Sequence, residues 1–311
     1  MSNSKINILE KFLAKKKLIC YGGTAINNIL PSKDQFYNKN VELPDYDFFS
    51  TNALTDAKEL ADIYFKENYE EVEAKSGVHP GTFKVFVNFK AIADVTQLDN
   101  NIFKTIKNDA IVKDNIYYAP PDFLRMSMYL ELSRPDGDVS RWEKVLKRLI
   151  LLNKNYPLKG IECNSYDFER EFSGINDKSK IYEIIKKIAV KEKLVFFGGY
   201  SLSLYNNYYK KIKLHNYPDF DLLSNNPFES AKKMKDELKK HFNNVTIIFH
   251  SPIGENIPFH YEIKVDNDSI VFLYKTDACY NYNSIKINNK IYRIGTIDTL
   301  LSFYLAFYYS K

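Results

Sequence analysis

Cysteine is scarce in this 311-residue chain, which has three, at positions 20, 163 and 279. An odd number of distant cysteines provides neither a disulfide framework nor the spacing of a zinc site, so we expect a reducing compartment. The five histidines show no metal-ligand spacing either. Cys20 lies within an apolar stretch, where a thiol is expected to serve as a small core residue.

Long hydrophobic runs are also missing. The longest, residues 300–309, is too short for a membrane-spanning helix, which needs ~20 residues. The first residues are polar and contain no apolar segment of the secretory type, so we expect no signal peptide and no membrane association. The net charge of +5 is mild, and it permits a polyanionic partner without requiring one.

Glycine is uncommon too, yet two of the 11 glycines are adjacent in an informative stretch. Residues 18–25 read Leu-Ile-Cys-Tyr-Gly-Gly-Thr-Ala, which predicts a strand that runs into a glycine turn opening a helix. Gly22 and Gly23 leave backbone N–H groups accessible, and such groups suit phosphate oxygens. A glycine pair after a strand is also common in ordinary tight turns, so this motif alone does not establish a phosphate-binding site.

Three carboxylates follow this turn. Asp45 and Asp47 are two residues apart in a predicted strand, so they project to the same face while Tyr46 points away. Asp94 stands alone among small and branched apolar residues. An unpaired buried carboxylate is costly, so we expect Asp94 to bind a metal, to pair with another group or to lie at the surface. An Asp-x-Asp pair is common at strand ends. Three acids on neighbouring strands beside a glycine turn, however, are typical of the nucleotidyltransferase superfamily.

The chain repeats itself at an offset of about 176 residues. An apolar helical stripe, a strand and a Gly-Gly pair precede residue 24, and the same pattern ends at Gly199. We therefore predict an α/β (α+β mixed) fold of two tandem nucleotidyltransferase-like domains, each a small mixed sheet flanked by helices. The predicted domains are residues 1–175, a catalytic domain with a helical insertion at 133–152, and residues 176–311. A linker is predicted from 153 to 178, across their boundary.

The two halves differ in their acids. Asp219 and Asp221 match the first Asp-x-Asp pair, but Phe272 falls where the first half has Asp94. A phenyl ring supplies no oxygen ligand to a metal ion. The second half is therefore predicted to be a non-catalytic copy.

Within the superfamily the chain resembles one family. Residues 21–25, 45–50 and 93–95, together with the charged segment 133–144, resemble the poly(A) polymerase catalytic subunit of nucleocytoplasmic large DNA viruses. The resemblance covers most of the chain, and members of that family extend further at the C-terminus. The segment 133–144 is more specific to the family than the three acids are.

This resemblance implies a function. It implies template-independent transfer of AMP from ATP to RNA 3′ ends, which is viral mRNA polyadenylation, by two Mg²⁺ or Mn²⁺ ions. Such ions lie ~3.5–4 Å apart and stabilise the attacking and leaving oxygens. Asp45 and Asp47 would bind both ions, and Asp94 would complete the site of the ion that activates the hydroxyl. Gly22, Gly23 and the Thr24 hydroxyl would hold the ATP phosphates.

Other assignments are open. Arg134, Arg141 and Lys144 are candidates for contact with triphosphate or RNA phosphate, but solvated helix charge explains them equally well. Arg125 belongs to the same group. Residues 298–309 form a helix that is apolar nearly all round, which suggests a homodimer or a second viral subunit. The implied location is the host cytoplasm, in a viral factory, or the virion.

Two further functions remain open. One is another nucleotidyltransferase, which makes a second messenger or modifies a small molecule with the same three acids. The other is a non-enzymatic nucleic-acid-binding scaffold, and the complete acid set of the first half argues against it. Substrate assays separate the first of these from polyadenylation.

Overall fold

A computed structural model of the chain describes residues 2–37, 45–79, 81–133, 138–158, 177–209, 218–253, 257–276 and 280–310. Two compact units are present. The first comprises Met1–Met128, Glu143–Leu158 and Leu305–Lys311, and the second comprises Tyr129–Trp142 and Lys159–Tyr304. The predicted boundary at 175/176 and most of the predicted linker lie outside the described residues, so that division stays a prediction.

The first half of the chain alternates helices and strands. Its elements are α1 (Ser2–Lys16), β1 (Ile19–Tyr21), α2 (Gly22–Ile29), β2 (Tyr46–Ser50), α3 (Ala53–Lys66), β3 (Val72–Ser76), β4 (Thr82–Val87), β5 (Lys90–Gln97), α4 (Asn100–Asn108), β6 (Ile111–Lys113), β7 (Ile116–Tyr118), α5 (Pro121–Leu132) and α6 (Trp142–Asn155). The strands form one seven-stranded sheet in the order β3-β4-β5-β2-β1-β7-β6.

The second half has the same order of elements around its sheet, but among its described residues no helix corresponds to α4. Its elements are α7 (Lys178–Lys191), β8 (Val195–Phe197), α8 (Gly198–Tyr209), β9 (Phe220–Ser224), α9 (Pro227–Leu238), β10 (Val245–His250), β11 (His260–Val265), β12 (Asp268–Lys275), β13 (Tyr282–Ile287), β14 (Lys290–Gly295) and α10 (Ile297–Tyr309). Its seven strands lie in the order β10-β11-β12-β9-β8-β14-β13.

The two sheets agree in strand direction as well as in order. In the first, β2 is parallel to β5 and antiparallel to β1, while β1 is parallel to β7. In the second, β9 is parallel to β12 and antiparallel to β8, while β8 is parallel to β14. The predicted fold class is confirmed: the chain contains two tandem mixed sheets flanked by helices.

The helix before each glycine turn packs as the repeat predicts. Leu9 and Leu13 of α1 are fully buried, and their counterparts Ile185 and Ala189 in α7 are fully buried as well. Side chains four positions apart lie on one face of a helix, so these pairs form the apolar stripe that holds each helix on its sheet. This packing places the following strand and turn in the same way in both halves.

The last helix, α10, is buried along one side. Leu300, Phe303, Ala306 and Tyr309 recur every three residues and are buried, while the neighbouring Tyr308 is 51% exposed. Burial therefore follows one stripe of a helix that the sequence marks as apolar on nearly all sides. Self-association through its other faces stays a prediction. None of the described helices is both long and apolar enough to cross a membrane.

The two faces of β2 have different chemistry. Tyr46 is fully buried on the face opposite Asp47, and its hydroxyl donates to Glu10 Oε1 at 2.6 Å. Burial and the neighbouring Glu10 carboxylate raise the pKa of Tyr46 well above its ordinary value. The hydroxyl thus stays protonated and acts as a hydrogen-bond donor.

We expect Tyr46→Phe to lower the free energy of unfolding by about 1–2 kcal/mol, because a buried hydrogen bond to a carboxylate is lost. Denaturant titration of the purified protein measures this change. Tyr69→Phe is the matched control, since the Tyr69 hydroxyl bonds Ser4 Oγ at the surface and its loss should change little. Equal stability of both variants would contradict the assignment.

Candidate active site

Three carboxylates of the first half lie beside one another on the sheet. Strands β2 and β5 are parallel, and Asp47 stands directly opposite Asp94. Asp45 immediately precedes β2 and, two residues from Asp47, belongs to the same face. Asp45 is exposed, while Asp47 and Asp94 are half-buried. The structure therefore brings the three predicted acids to one solvent-accessible part of the sheet.

The glycine turn lies against these acids. Gly22 begins α2 directly after β1 and has a φ of +69°, a conformation that residues with a side chain rarely adopt. A Cβ placed on Gly22 would overlap Oδ2 of Asp47. Glycine is thus required at this position for two reasons, the backbone angle and the close approach of the Asp47 carboxylate. An anion near a helix N-terminus is also electrostatically favourable.

Thr24 positions the strand that carries the acids. Its side chain is buried, and its hydroxyl donates to the backbone oxygen of Asp45 at 2.5 Å. This bond joins the first turn of α2 to the start of β2. The sequence suggested that the hydroxyl contacts phosphate, whereas in the structure it is engaged by the protein itself.

Lys84 is a cation beside the third acid, and sequence reasoning did not select it. It stands opposite Asp94 on β4, and its Nζ lies 2.5 Å from Asp94 Oδ2. Both side chains are partly exposed, so the pair adds little to stability. Its position is informative instead, because the side chain predicted to bind a cation is already paired with one. The alternating pattern of β4 could have identified Lys84.

The donor set suits a divalent metal, because carboxylate oxygens are the ligands that Mg²⁺ and Mn²⁺ prefer. Within the described ranges, however, no group of three or more His, Cys, Asp or Glu side chains is close enough to hold an ion. Asp94 is turned to Lys84, and Asp47 packs against Gly22. The acids therefore fit a metal site in chemistry and strand position, and their side chains would turn to share an ion.

The second half preserves the turn and alters the acids. Gly198 has a φ of +65°, and a Cβ there would overlap Oδ2 of Asp221, as at Gly22. Asp219 and Asp221 are only 3% and 7% exposed. Phe272 stands opposite Asp221 on the parallel strand β12, in the position that Asp94 has in the first half. The register predicted from the repeat is confirmed here.

The residue at the position of Lys84 has the opposite charge in the second half. Glu262 stands opposite Phe272 on β11, as Lys84 stands opposite Asp94 on β4. It accepts hydrogen bonds from Ser269 Oγ and, at 2.8 Å, from His250 Nε2. Burial raises the pKa of Glu262, but these hydrogen bonds outweigh it and hold that pKa below its usual value. At this position the second half therefore has a buried, hydrogen-bonded carboxylate instead of an accessible lysine–aspartate pair.

The predicted basic contacts have varied surroundings. Arg134 lies outside the described residues. Arg141 Nε lies 3.3 Å from Glu131 Oε1, and Lys144 is exposed on α6. Arg125 is fully buried, where it donates to Asn153 Oδ1 at 2.7 Å and also pairs with Asp122.

Arg148 is a basic residue of α6 that the sequence did not single out. A Cβ on Gly23 would lie 2.6 Å from the Tyr37 hydroxyl and 2.8 Å from Arg148 Nη1. Arg148 therefore lies against the glycine turn. The available signal was its spacing, since it follows the buried Val145 by three positions and precedes Leu152 by four.

A mixed sheet whose adjacent parallel strands bear acids beside a glycine turn is typical of a nucleotidyltransferase domain. The first half has this arrangement, and the second half has the same strand order with Phe272 in place of the third acid. Residues 7–138 match the family described as poly(A) polymerase catalytic subunit. The match lies in the first part of the chain, and it confirms the resemblance stated from the sequence.

Three relatives illustrate the match. A protein of African swine fever virus (strain Badajoz 1971 Vero-adapted), provisionally named poly(A) polymerase catalytic subunit, is 34% identical over 174 residues, which cover 54% of this chain and 36% of that protein. A protein of Acanthamoeba polyphaga mimivirus with the same name is 28% identical over 187 residues, which cover 59% and 30%. The crystal structure of the Megavirus polyadenylate synthase has a TM-score of 0.86 at 24% identity, over 98% of this chain and 62% of that one.

The chain thus spans about a third of the length of the curated relatives that it matches. The likeness to the Megavirus structure extends over both halves and shows the shared fold. The two curated matches cover only part of this chain.

We expect Gly22→Ala to lower the free energy of unfolding by at least about 1 kcal/mol, because alanine is strained at positive φ and its Cβ displaces Asp47. Gly198→Ala should behave alike for the same reasons. Gly23→Ala is the control, because no positive φ applies there and only the ends of two side chains, not backbone atoms, would have to move. Thermal unfolding of the three variants tests this, and a Gly22→Ala protein as stable as wild type would contradict it.

Proposed function

We propose that this chain transfers AMP from ATP to the 3′ end of RNA without a template. The observation that supports this proposal most directly is the pairing of Asp47 with Asp94 on adjacent parallel strands beside the Gly22 turn. The match of residues 7–138 to the poly(A) polymerase catalytic subunit family supports the choice of reaction. The names of the viral relatives support RNA and ATP as substrates.

In this proposal Asp45, Asp47 and Asp94 hold two divalent ions, Mg²⁺ or Mn²⁺. Bound ions would supply charge neutralisation at the phosphates and a more reactive 3′-hydroxyl. The RNA 3′-hydroxyl attacks the α-phosphorus of ATP, and pyrophosphate leaves. Thr24 holds the start of β2, and Gly22 lets the Asp47 carboxylate approach the turn. Lys84 neutralises the charge of Asp94, and its side chain would move away from that carboxylate when an ion binds.

The proposal extends to partners and location. The relatives are named as a catalytic subunit, which suggests a second viral subunit, and the remaining apolar faces of α10 suggest a homodimer. Their origin in large DNA viruses suggests the host cytoplasm, in a viral factory, or the virion. The second half would serve as a structural copy, because Phe272 replaces the third acid.

The decisive assay incubates the protein with an RNA primer and each nucleoside triphosphate separately, with Mg²⁺ or Mn²⁺. We expect extension with ATP. Asp45→Ala, Asp47→Ala and Asp94→Ala should each reduce extension by about 100-fold or more, because charge stabilisation at the reacting phosphate is lost. Incorporation of a different nucleotide, or reaction without primer, would instead indicate another nucleotidyltransferase.

The second half provides the matched control. Asp219→Asn combined with Asp221→Asn should leave the rate of extension nearly unchanged, since Phe272 leaves no third ligand beside them. A folded Asp94→Ala protein that extends RNA at the wild-type rate would refute the site. Loss of extension in the double variant, with an unchanged melting temperature, would mean that the second half is active.

RNA binding should be led by phosphate contacts, given the net charge of +5 and the basic residues of α6. We expect the logarithm of the binding constant to fall linearly with the logarithm of salt concentration, because bound cations are released from the RNA. Lys144→Ala should reduce that slope by about 0.7, the contribution of one single-strand phosphate contact. Fluorescence anisotropy with labelled RNA measures the slope, and an unchanged slope would exclude Lys144 as a contact.

A further inference from the structure

Arg148 lies at the glycine turn because α6 is anchored to the first unit on both sides of that residue. Val145, Leu149 and Leu152 of α6 are buried. Beyond them, Lys154 Nζ lies 2.9 Å from Asp34 Oδ1. The helix is therefore held along its length, and the direction of the Arg148 side chain follows from its place on the buried side.

The guanidinium group of Arg148 is held by two aromatic rings. Its Cζ lies 5.0 Å from the centre of the Phe36 ring and 5.6 Å from that of Tyr37. Its Nη2 donates to the Tyr37 hydroxyl at 2.8 Å. Cation–π contacts of this kind orient an arginine without neutralising its charge. The two rings are themselves placed by Asn27, whose Oδ1 accepts from both backbone N–H groups at 2.8 and 2.9 Å.

The charge of Arg148 has no acidic partner in the described part of the chain. No Asp or Glu there forms an ion pair with it, and the group is only partly exposed. A guanidinium is always charged near neutral pH, and its planar set of donors fits phosphate oxygens in pairs. A positive charge that is fixed in direction and not paired suits an anionic ligand.

The two glycines of the turn face different groups. Gly22 lies against the Asp47 carboxylate and Gly23 against the Arg148 guanidinium. Consecutive Cα atoms are only about 3.8 Å apart. Asp47 and Arg148 therefore flank one short stretch of backbone, and a ligand that spans this stretch can contact both.

We propose that Arg148, oriented by Phe36 and Tyr37, binds the polyphosphate of the nucleotide substrate at the Gly22–Gly23 turn. This inference rests on the proposed function and assigns a residue to its site. The triphosphate is the favoured ligand because it must reach the acids that flank the turn. Arg148 and Gly23 would bind the part of it that leaves as pyrophosphate, and Tyr37 is a positioning residue.

The test measures binding of pyrophosphate, ATP and AMP to the full chain by isothermal titration calorimetry with Mg²⁺ present. Arg148→Ala should weaken the binding of pyrophosphate and of ATP about 10- to 100-fold, which is the usual loss for a charge-assisted hydrogen bond. AMP binding should change little, since it lacks the β- and γ-phosphates. Arg148→Lys should recover part of the affinity, because it keeps the charge and loses the paired geometry.

The neighbouring Lys147 is the matched control. It lies one position earlier on α6 and pairs at the surface with Glu143 at 2.6 Å, so Lys147→Ala should bind all three ligands as wild type does. Tyr37→Phe removes the hydroxyl that accepts from Arg148, and it should weaken the binding of pyrophosphate only a few-fold. Gly23→Ala keeps every charge but displaces the tips of Tyr37 and Arg148, so it should weaken pyrophosphate to an intermediate degree.

Wild-type affinity of Arg148→Ala or Arg148→Lys for pyrophosphate would overturn the inference, and so would a loss confined to RNA affinity. If Arg148→Ala does not fold, Arg148→Lys and Gly23→Ala decide by the same titration. A wild-type protein that binds pyrophosphate through Arg148 but never extends RNA would refute the proposed function and leave this inference standing. If the wild-type protein extends RNA but the Arg148 variants bind pyrophosphate as tightly as it does, the proposed function stands and this inference is refuted.

Discussion

The contact between a carboxylate and a glycine at the start of a helix is the constraint on which the rest of this structure depends. Asp47 approaches Gly22 so closely that no side chain fits between them, and Asp221 approaches Gly198 in the same way. Each contact joins the first strand and helix of a half to its second strand. Since both halves retain it, and only one retains the third acid, the contact belongs to the fold as well as to the site.

The face beside this contact is free to change because the sheet is held by other groups. In the first half Lys84 and Asp94 compensate each other at partly exposed positions. In the second half Glu262 and Phe272 occupy the same two positions, and the carboxylate is stabilised by Ser269 and His250. Buried acids without partners are costly. For Glu262 the second half avoids that cost through Ser269 and His250, and its acids are less accessible as oxygen ligands than those of the first half.

Much of this arrangement was predictable, because it follows from periodicity. Alternation places Asp45 and Asp47 on one face, and the repeat places Phe272 at the position of Asp94, as the strand registers confirm. Side-chain partners were not predictable in the same way. Arg125 resembles a phosphate contact in sequence, but it is buried against Asn153. Such contacts depend on how elements that are distant in the sequence pack together, and a local pattern of residues does not predict that packing.

The position of α6 links stability to the proposed ligand site. Arg125 holds Asn153 on this helix, and Lys154 with Asn155 holds Asp34 beyond the end of α2. The hydrogen bond from Lys154 keeps the pKa of Asp34 below its ordinary value, so the pair stays ionised into mildly acidic solution. Because these anchors lie within two turns of Arg148, its guanidinium is placed before any ligand arrives. A ligand then loses less conformational entropy on binding, since the protein group that meets it is already ordered.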